Sequence, residues 1–197
     1  METKRAMLSN LPTKAKIGNK IYPLNTDYRY GLKCLKISEN DDISDKERAF
    51  AIIYTLYGCF PNDLEEALKK AGYFLTCGRE QKPRDEEPDM DYWFDWERIV
   101  ASFRSDYGID LNTAKMHFWE FIFLIEGLTE HCVLSRVREI RGYNLSEFKD
   151  PKTKARIQKA QEQLRIPKKR TKEQQKVIDD FFKQLGGENN VDNSSTG

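Results

Sequence analysis

YWFDWERIVASFRSDYGIDLNTAKMHFWEFIFLIEGL, residues 92–128, holds all three tryptophans and the densest aromatic content of the chain. Trp93, Trp96, Val100, Phe103 and Tyr107 recur at spacings of three and four, which predicts one face of a helix. Gly108 follows where a left-handed C-cap belongs. Asp110 or Asn112 can then cap a second helix. That helix carries Met116, Phe118, Trp119, Phe121, Ile122, Phe123, Leu124, Ile125 and Leu128, so it is apolar almost all round and should be buried on every side. The stretch predicts a helical hairpin whose second arm, with Trp119 and Phe121, is the centre of the core.

Outward from this hairpin, the patterns are helical. Ala15–Ile17 and Lys20–Tyr22, with Gly18-Asn19 between them, predict a small N-terminal β-hairpin. Asn25 or Thr26 can cap a helix reaching about Glu39, with Tyr30, Leu32, Leu35 and Ile37 among its apolar residues. Ser44 and Glu47 form a capping box for a helix to about Tyr57, with Phe50, Ile53 and Tyr57 on one face. Pro61-Asn62-Asp63 opens a third helix, with Leu64, Leu68, Ala71 and Leu75 as its stripe, ending at Gly78. Residues 79–91 contain two prolines and no apolar run, which predicts a loop. Thr129 can cap a helix through Arg141 on Leu134, Val137 and Ile140. Asp150-Pro151 begins another to about Leu164, striped by Ile157, Ala160 and Leu164.

The expected fold is all-α: a compact bundle of about six or seven helices over residues 1–167, with the small hairpin in front and a basic C-terminal extension behind. The extension, 168–197, offers a helix over 171–185 on Val177, Ile178, Phe181, Phe182 and Leu185, then a polar tail disordered by composition.

Composition narrows function. Of 197 residues, 39% are hydrophobic and 33% charged, a water-soluble balance with enough apolar mass for a core. The net charge of +1 gives the whole chain no pull toward nucleic acid or anionic membrane. No apolar run approaches a bilayer span, and the first residues lack the apolar region of a secretory signal. The scattered Cys34, Cys59, Cys77 and Cys132 read as reduced cytosolic thiols. No catalytic set, phosphate loop or metal-ligand spacing stands out, so no enzyme, cofactor or metal is expected. His117 reads as a core or capping residue. His131 and Cys132 are adjacent, so their side chains diverge on a helix and cannot readily share one ion.

Two charged stretches bear on partners. Residues 85–97 hold seven acids and no base, with Tyr92, Trp93 and Trp96 inside the cluster. The stretch reads as a solvated loop or as a docking surface for a basic helix. Residues 149–176 carry eleven bases and three acids, a net +8. With no interleaved aromatics, nucleic acid is not its expected ligand, and a solvated face or an acidic partner fits better. Candidate partner-binding residues are Tyr92, Trp93 and Trp96 in the hairpin and Val177, Ile178, Phe181, Phe182 and Leu185 in the extension.

The order of several motifs resembles the tail assembly chaperones encoded in the tail gene cluster of phages of Gram-positive bacteria. The motifs are Ile99-Val100-Ala101-Ser102-Phe103, Tyr107-Gly108-Ile109-Asp110-Leu111 and His117-Phe118-Trp119-Glu120-Phe121, where Phe118 replaces the first of a tryptophan pair. Asn25-Thr26-Asp27-Tyr28-Arg29, Phe74-Leu75-Thr76-Cys77-Gly78 and Ile140-Arg141 extend the likeness over roughly residues 15–165. The resemblance implies a non-enzymatic chaperone of the host cytoplasm, absent from the mature virion. It would bind the tape measure protein, meet tail tube subunits and self-associate. A structural virion component, such as a head–tail or tail-terminator protein, and a DNA-binding regulator using the basic extension are the alternatives.

Overall fold

The computed structural model describes residues 11–80 and 88–167. The extension from 168 onward, with Val177, Ile178, Phe181, Phe182 and Leu185, lies outside the described residues. So do the acids Asp85, Glu86 and Glu87. Among the described residues the architecture is mostly helical, with seven α-helices and a two-stranded antiparallel hairpin, as the sequence predicts. No helix among them is long and apolar enough to cross a membrane. The chain divides into two units after Leu164, and Arg165–Pro167 carry no regular structure.

Strands β1 (Lys14–Ile17) and β2 (Lys20–Pro23) pair with Ala15 opposite Tyr22. Gly18 takes the left-handed turn position at φ 55°, and its N–H donates to Glu66 at 2.7 Å. Helix α1 (Tyr28–Ser38) is capped by Asp27, not by Asn25 or Thr26. Those two residues are committed elsewhere. Asn25 donates to the Thr55 and Leu56 carbonyls. The Thr26 carbonyl accepts the Phe118 N–H at 2.7 Å, and the Tyr28 N–H donates to Met116 at 3.1 Å. This short bridge between Asp27 and His117 clamps the start of α1 to the start of the helix Phe118–Glu126. The two helices then approach so closely that a Cβ on Gly31 would overlap the Phe118 ring.

Helix α2 (Asp45–Tyr57) has both hydrogen bonds of the Ser44–Glu47 capping box and ends on left-handed Gly58. Its buried arc is Ile52, Ile53, Leu56 and Tyr57, leaving Phe50 half-out. Helix α3 (Leu64–Leu75), capped by Asp63, is rotated from the predicted stripe. Ala67, Ala71 and Phe74 are buried, while Leu68 is exposed. The two alanines let α3 sit close enough for the Tyr57 hydroxyl to donate to the Ala67 carbonyl at 3.0 Å.

Helix α4 (Trp96–Tyr107) begins three residues later than the aromatic spacing predicts, so Trp93 lies outside it. The buried face is Ile99, Ser102 and Phe103, and Gly108 is the left-handed cap at φ 67°. Helix α5 (Phe118–Glu126) is capped by His117 rather than by Asp110 or Asn112. Asp110 instead accepts the Asn112 N–H and pairs with Arg104 at 2.8 Å, shaping a turn that buries Leu111. Phe118, Trp119, Phe121 and Ile125 are buried, but Ile122, Phe123 and Leu124 are only half-buried, so α5 is not enclosed on every side. Arg79, ion-paired with Glu126, places its guanidinium 5.3 Å from the Phe123 ring.

An aromatic ladder forms the core. Trp96 stacks on Tyr28 (6.4 Å), Tyr28 on Phe121 (4.7 Å), and Phe121 on Phe103 (5.4 Å). Each fully buried side chain of this size contributes about 1.5–3 kcal/mol. The buried polar tips are paired: Tyr28 donates to the Leu111 carbonyl and Trp119 Nε1 to the Phe74 carbonyl.

Helix α6 (Val133–Gly142) is capped by Cys132, whose Sγ accepts the Ser135 N–H. Thr129, the predicted cap, donates to Asp106 of α4 instead. Helix α7 (Pro151–Leu164) starts on Asp150 as predicted. Gln161 ties it to α6 by donating to the Ile140 and Tyr143 carbonyls. All four cysteines are free thiols; Cys59 is exposed and the other three are buried.

Candidate partner-binding surface

The turn before α4 gathers the aromatic residues singled out in the sequence. Asp91 Oδ1 accepts the N–H groups of Trp93 (2.8 Å) and Phe94 (2.7 Å), and the Asp95 N–H returns to the Asp91 carbonyl at 2.9 Å. This is the local geometry an aspartate favours. It sets Trp93 and Phe94 on the outside, 41% and 39% exposed.

Asp95 occupies the N-cap position of α4 but makes no capping bond. Its carboxylate turns inward and is fully buried. Arg141 grips it with two bonds, at 2.7 and 2.8 Å, and Arg98 adds a third at 2.7 Å. The Asp91 N–H supplies a fourth at 3.1 Å. Burial opposes the charge on Asp95, yet these donors together hold its pKa below the usual carboxylate value. Arg141 also reaches the Asp89 carbonyl, while Arg138 pairs with the Asp89 carboxylate. Of the described acids, Asp89, Asp91 and Asp95 fasten the turn to α6 and to itself, while Glu97 is exposed. These three are therefore not free side chains of a solvated loop.

Cations flank the exposed rings. Lys36 Nζ lies 4.5 Å from the Trp93 centroid, and Arg98 and Arg141 lie 5.5 and 5.7 Å from Phe94. Each such contact is worth about 0.5–1 kcal/mol at an exposed site and holds the ring in place. Of the candidate residues, Tyr92 and Trp96 turn toward the core: Tyr92 meets Phe121 at 6.5 Å, and Trp96 stacks on Tyr28. Phe94 was missed, because a helix that turns Trp93 and Trp96 to one face turns Phe94 away from it. A second exposed cluster was also missed. Phe60 packs against Phe50 at 5.8 Å and Tyr54 at 5.6 Å, and the Tyr54 and Phe60 rings are largely solvent-exposed.

Both ring nitrogens of His117 have structural partners. Its Nδ1 accepts the Trp119 N–H at 3.1 Å, and Nε2 lies 3.1 Å from the Pro12 carbonyl, so the neutral Nε2–H tautomer fits. Burial pushes its pKa down, against the opposing pull of the Pro12 carbonyl and Glu120. The stability this contributes is present above the unfolded value of about 6.5 and is lost as pH falls through the lower folded value. His117→Asn, which can still cap, is expected to lose less melting temperature than the wild type between about pH 7 and pH 5. Equal losses would mean that His117 does not titrate in that window. Among the described residues, no cluster of three or more His, Cys, Asp and Glu side chains is placed to hold a metal.

A family model described as Bacteriophage Gp15 protein matches residues 7–166. No curated protein and no solved structure matches the chain. The chain belongs to the Bacteriophage Gp15 protein family.

Proposed function

We propose that this phage protein is a non-enzymatic tail assembly chaperone. In the cytoplasm of a Gram-positive host it binds the tape measure protein, keeps that long and largely helical client soluble, and leaves as tail tube subunits polymerise. It is then absent from the finished particle. The observation that carries the reading is the Trp93–Phe94 pair: two adjacent large rings fixed outward by a buried ion-paired turn. Rigid aromatic anchors of this kind lose little entropy on binding and suit the apolar side of a client helix. Many copies along one client would supply avidity without tight single sites, which allows displacement by tube subunits.

The test is co-purification of the tape measure protein of the same phage with the wild type and with Trp93→Ala/Phe94→Ala. Both rings are partly exposed, so the double variant is expected to keep its fold. Client affinity is expected to fall by at least tenfold, as for truncated interface anchors. Undiminished binding would move the anchor elsewhere, and recovery of the chain in purified particles would favour a structural virion component.

A further inference from the structure

Helix α7 is held on one side only. Thr153, Ile157, Ala160, Gln161 and Leu164 are half-buried, and no residue of the helix is fully buried. Its solvent side carries Lys152, Lys154, Arg156 and Lys159 against the single acid Glu162. None of these four cations forms an ion pair with a described residue. The acid at the start of the helix is the Asp150 cap, whose carboxylate accepts the Lys152 and Thr153 N–H groups and the Thr153 hydroxyl. Lys152 and Arg156 repel one another at i,i+4. An anionic surface docked there would relieve that repulsion.

The chain carries such a surface itself. The connection from α1 to α2 and the first turn of α2 hold Asp41, Asp42, Asp45 and Glu47. The Asp41 and Asp45 side chains are 72% and 92% exposed, and Arg48 is the base that pairs with them. Tyr54 lies seven residues beyond Glu47 on the same side of α2 and offers an exposed ring to a cation. Within one copy, no ion pair among the described residues joins this segment to α7. Nucleic acid fits α7 less well: its solvent side has no aromatic ring on which a base could stack, and the whole chain, at +1, does not steer toward a polyanion.

We propose that the cationic face of α7 is a self-association surface that takes the acidic α1–α2 segment of a second copy of the chain. The contact is independent of the client reading. It would set neighbouring copies side by side.

Sedimentation velocity on the full chain tests it. The wild type is expected to associate at low ionic strength and to dissociate near 1 M salt, where the screening length is about 3 Å. Lys152→Glu/Arg156→Glu and, separately, Asp41→Lys/Asp42→Lys should each weaken association at least tenfold. Mixing the two variants sets the acidic α7 of one against the basic segment of the other, and the original basic α7 against the original acidic segment, so association should return in the mixture. The decisive chain carries all four reversals, because its faces are again complementary and association should return. Lys152→Glu places an acid in the first turn of α7, which favours the helix, so loss of folding does not confuse the result. A monomer at every salt, or association indifferent to the reversals, would overturn the proposal. So would α7 reversal that abolishes binding to duplex DNA while leaving self-association unchanged.

Discussion

Asp95→Ala is expected to destabilise the fold by about 3–5 kcal/mol, because it leaves Arg141 buried with no counter-charge. The Arg141 side chain is only 8% exposed, and both of its carboxylate bonds end on Asp95. Burying an unpaired guanidinium costs more than the pair itself contributes, since the desolvation penalty is no longer offset. A second substitution separates these effects. Asp95→Ala/Arg141→Met removes both charges and retains apolar volume, so it should recover much of the loss. Urea denaturation of the wild type, single and double variants measures this. A loss below about 1 kcal/mol in the single variant would mean that the turn is not fastened through Asp95.

Trp119→Ala is expected to cost about 3–5 kcal/mol through the cavity it opens. The indole is 2% exposed and packs near Phe74, Tyr73 and Phe123. Its Nε1–H donates to the Phe74 carbonyl, so the variant also removes the bond that fixes the end of α3 to α5. Thermal and urea denaturation report the loss. An unchanged transition would place Trp119 outside the core and make α5 a candidate binding stripe.

Much of the fold was legible because its signals are local. The Ser44–Glu47 box, the Gly108 cap, Asp150 before Pro151 and the Gly18-Asn19 turn each lie within a few residues of what they determine. Helix starts whose caps answer to distant partners were misread. Thr26 looks like a cap for α1, but its carbonyl is committed to Phe118, more than ninety residues away. His117 caps α5 only because Pro12 and the α1 bridge hold its ring in place. Gly31 carried no signal, since its need for space arises from Phe118. The candidate surface was half legible. Aromatics within acids drew attention to the right turn, but the sequence cannot say which rings face outward. That depends on Asp95 folding back onto Arg141, 46 residues later. Within an acidic run Asp95 looks like one more solvated carboxylate, whereas in the structure it is fully buried.

Chaperone function is tested most directly by the solubility of the client. The tape measure protein of the same phage would be expressed alone and with this chain, and its soluble fraction measured after centrifugation. The expected result is a client that pellets alone, stays in solution when co-expressed, and returns to the pellet with Trp93→Ala/Phe94→Ala. A client equally insoluble with and without the chain would contradict a role as its chaperone.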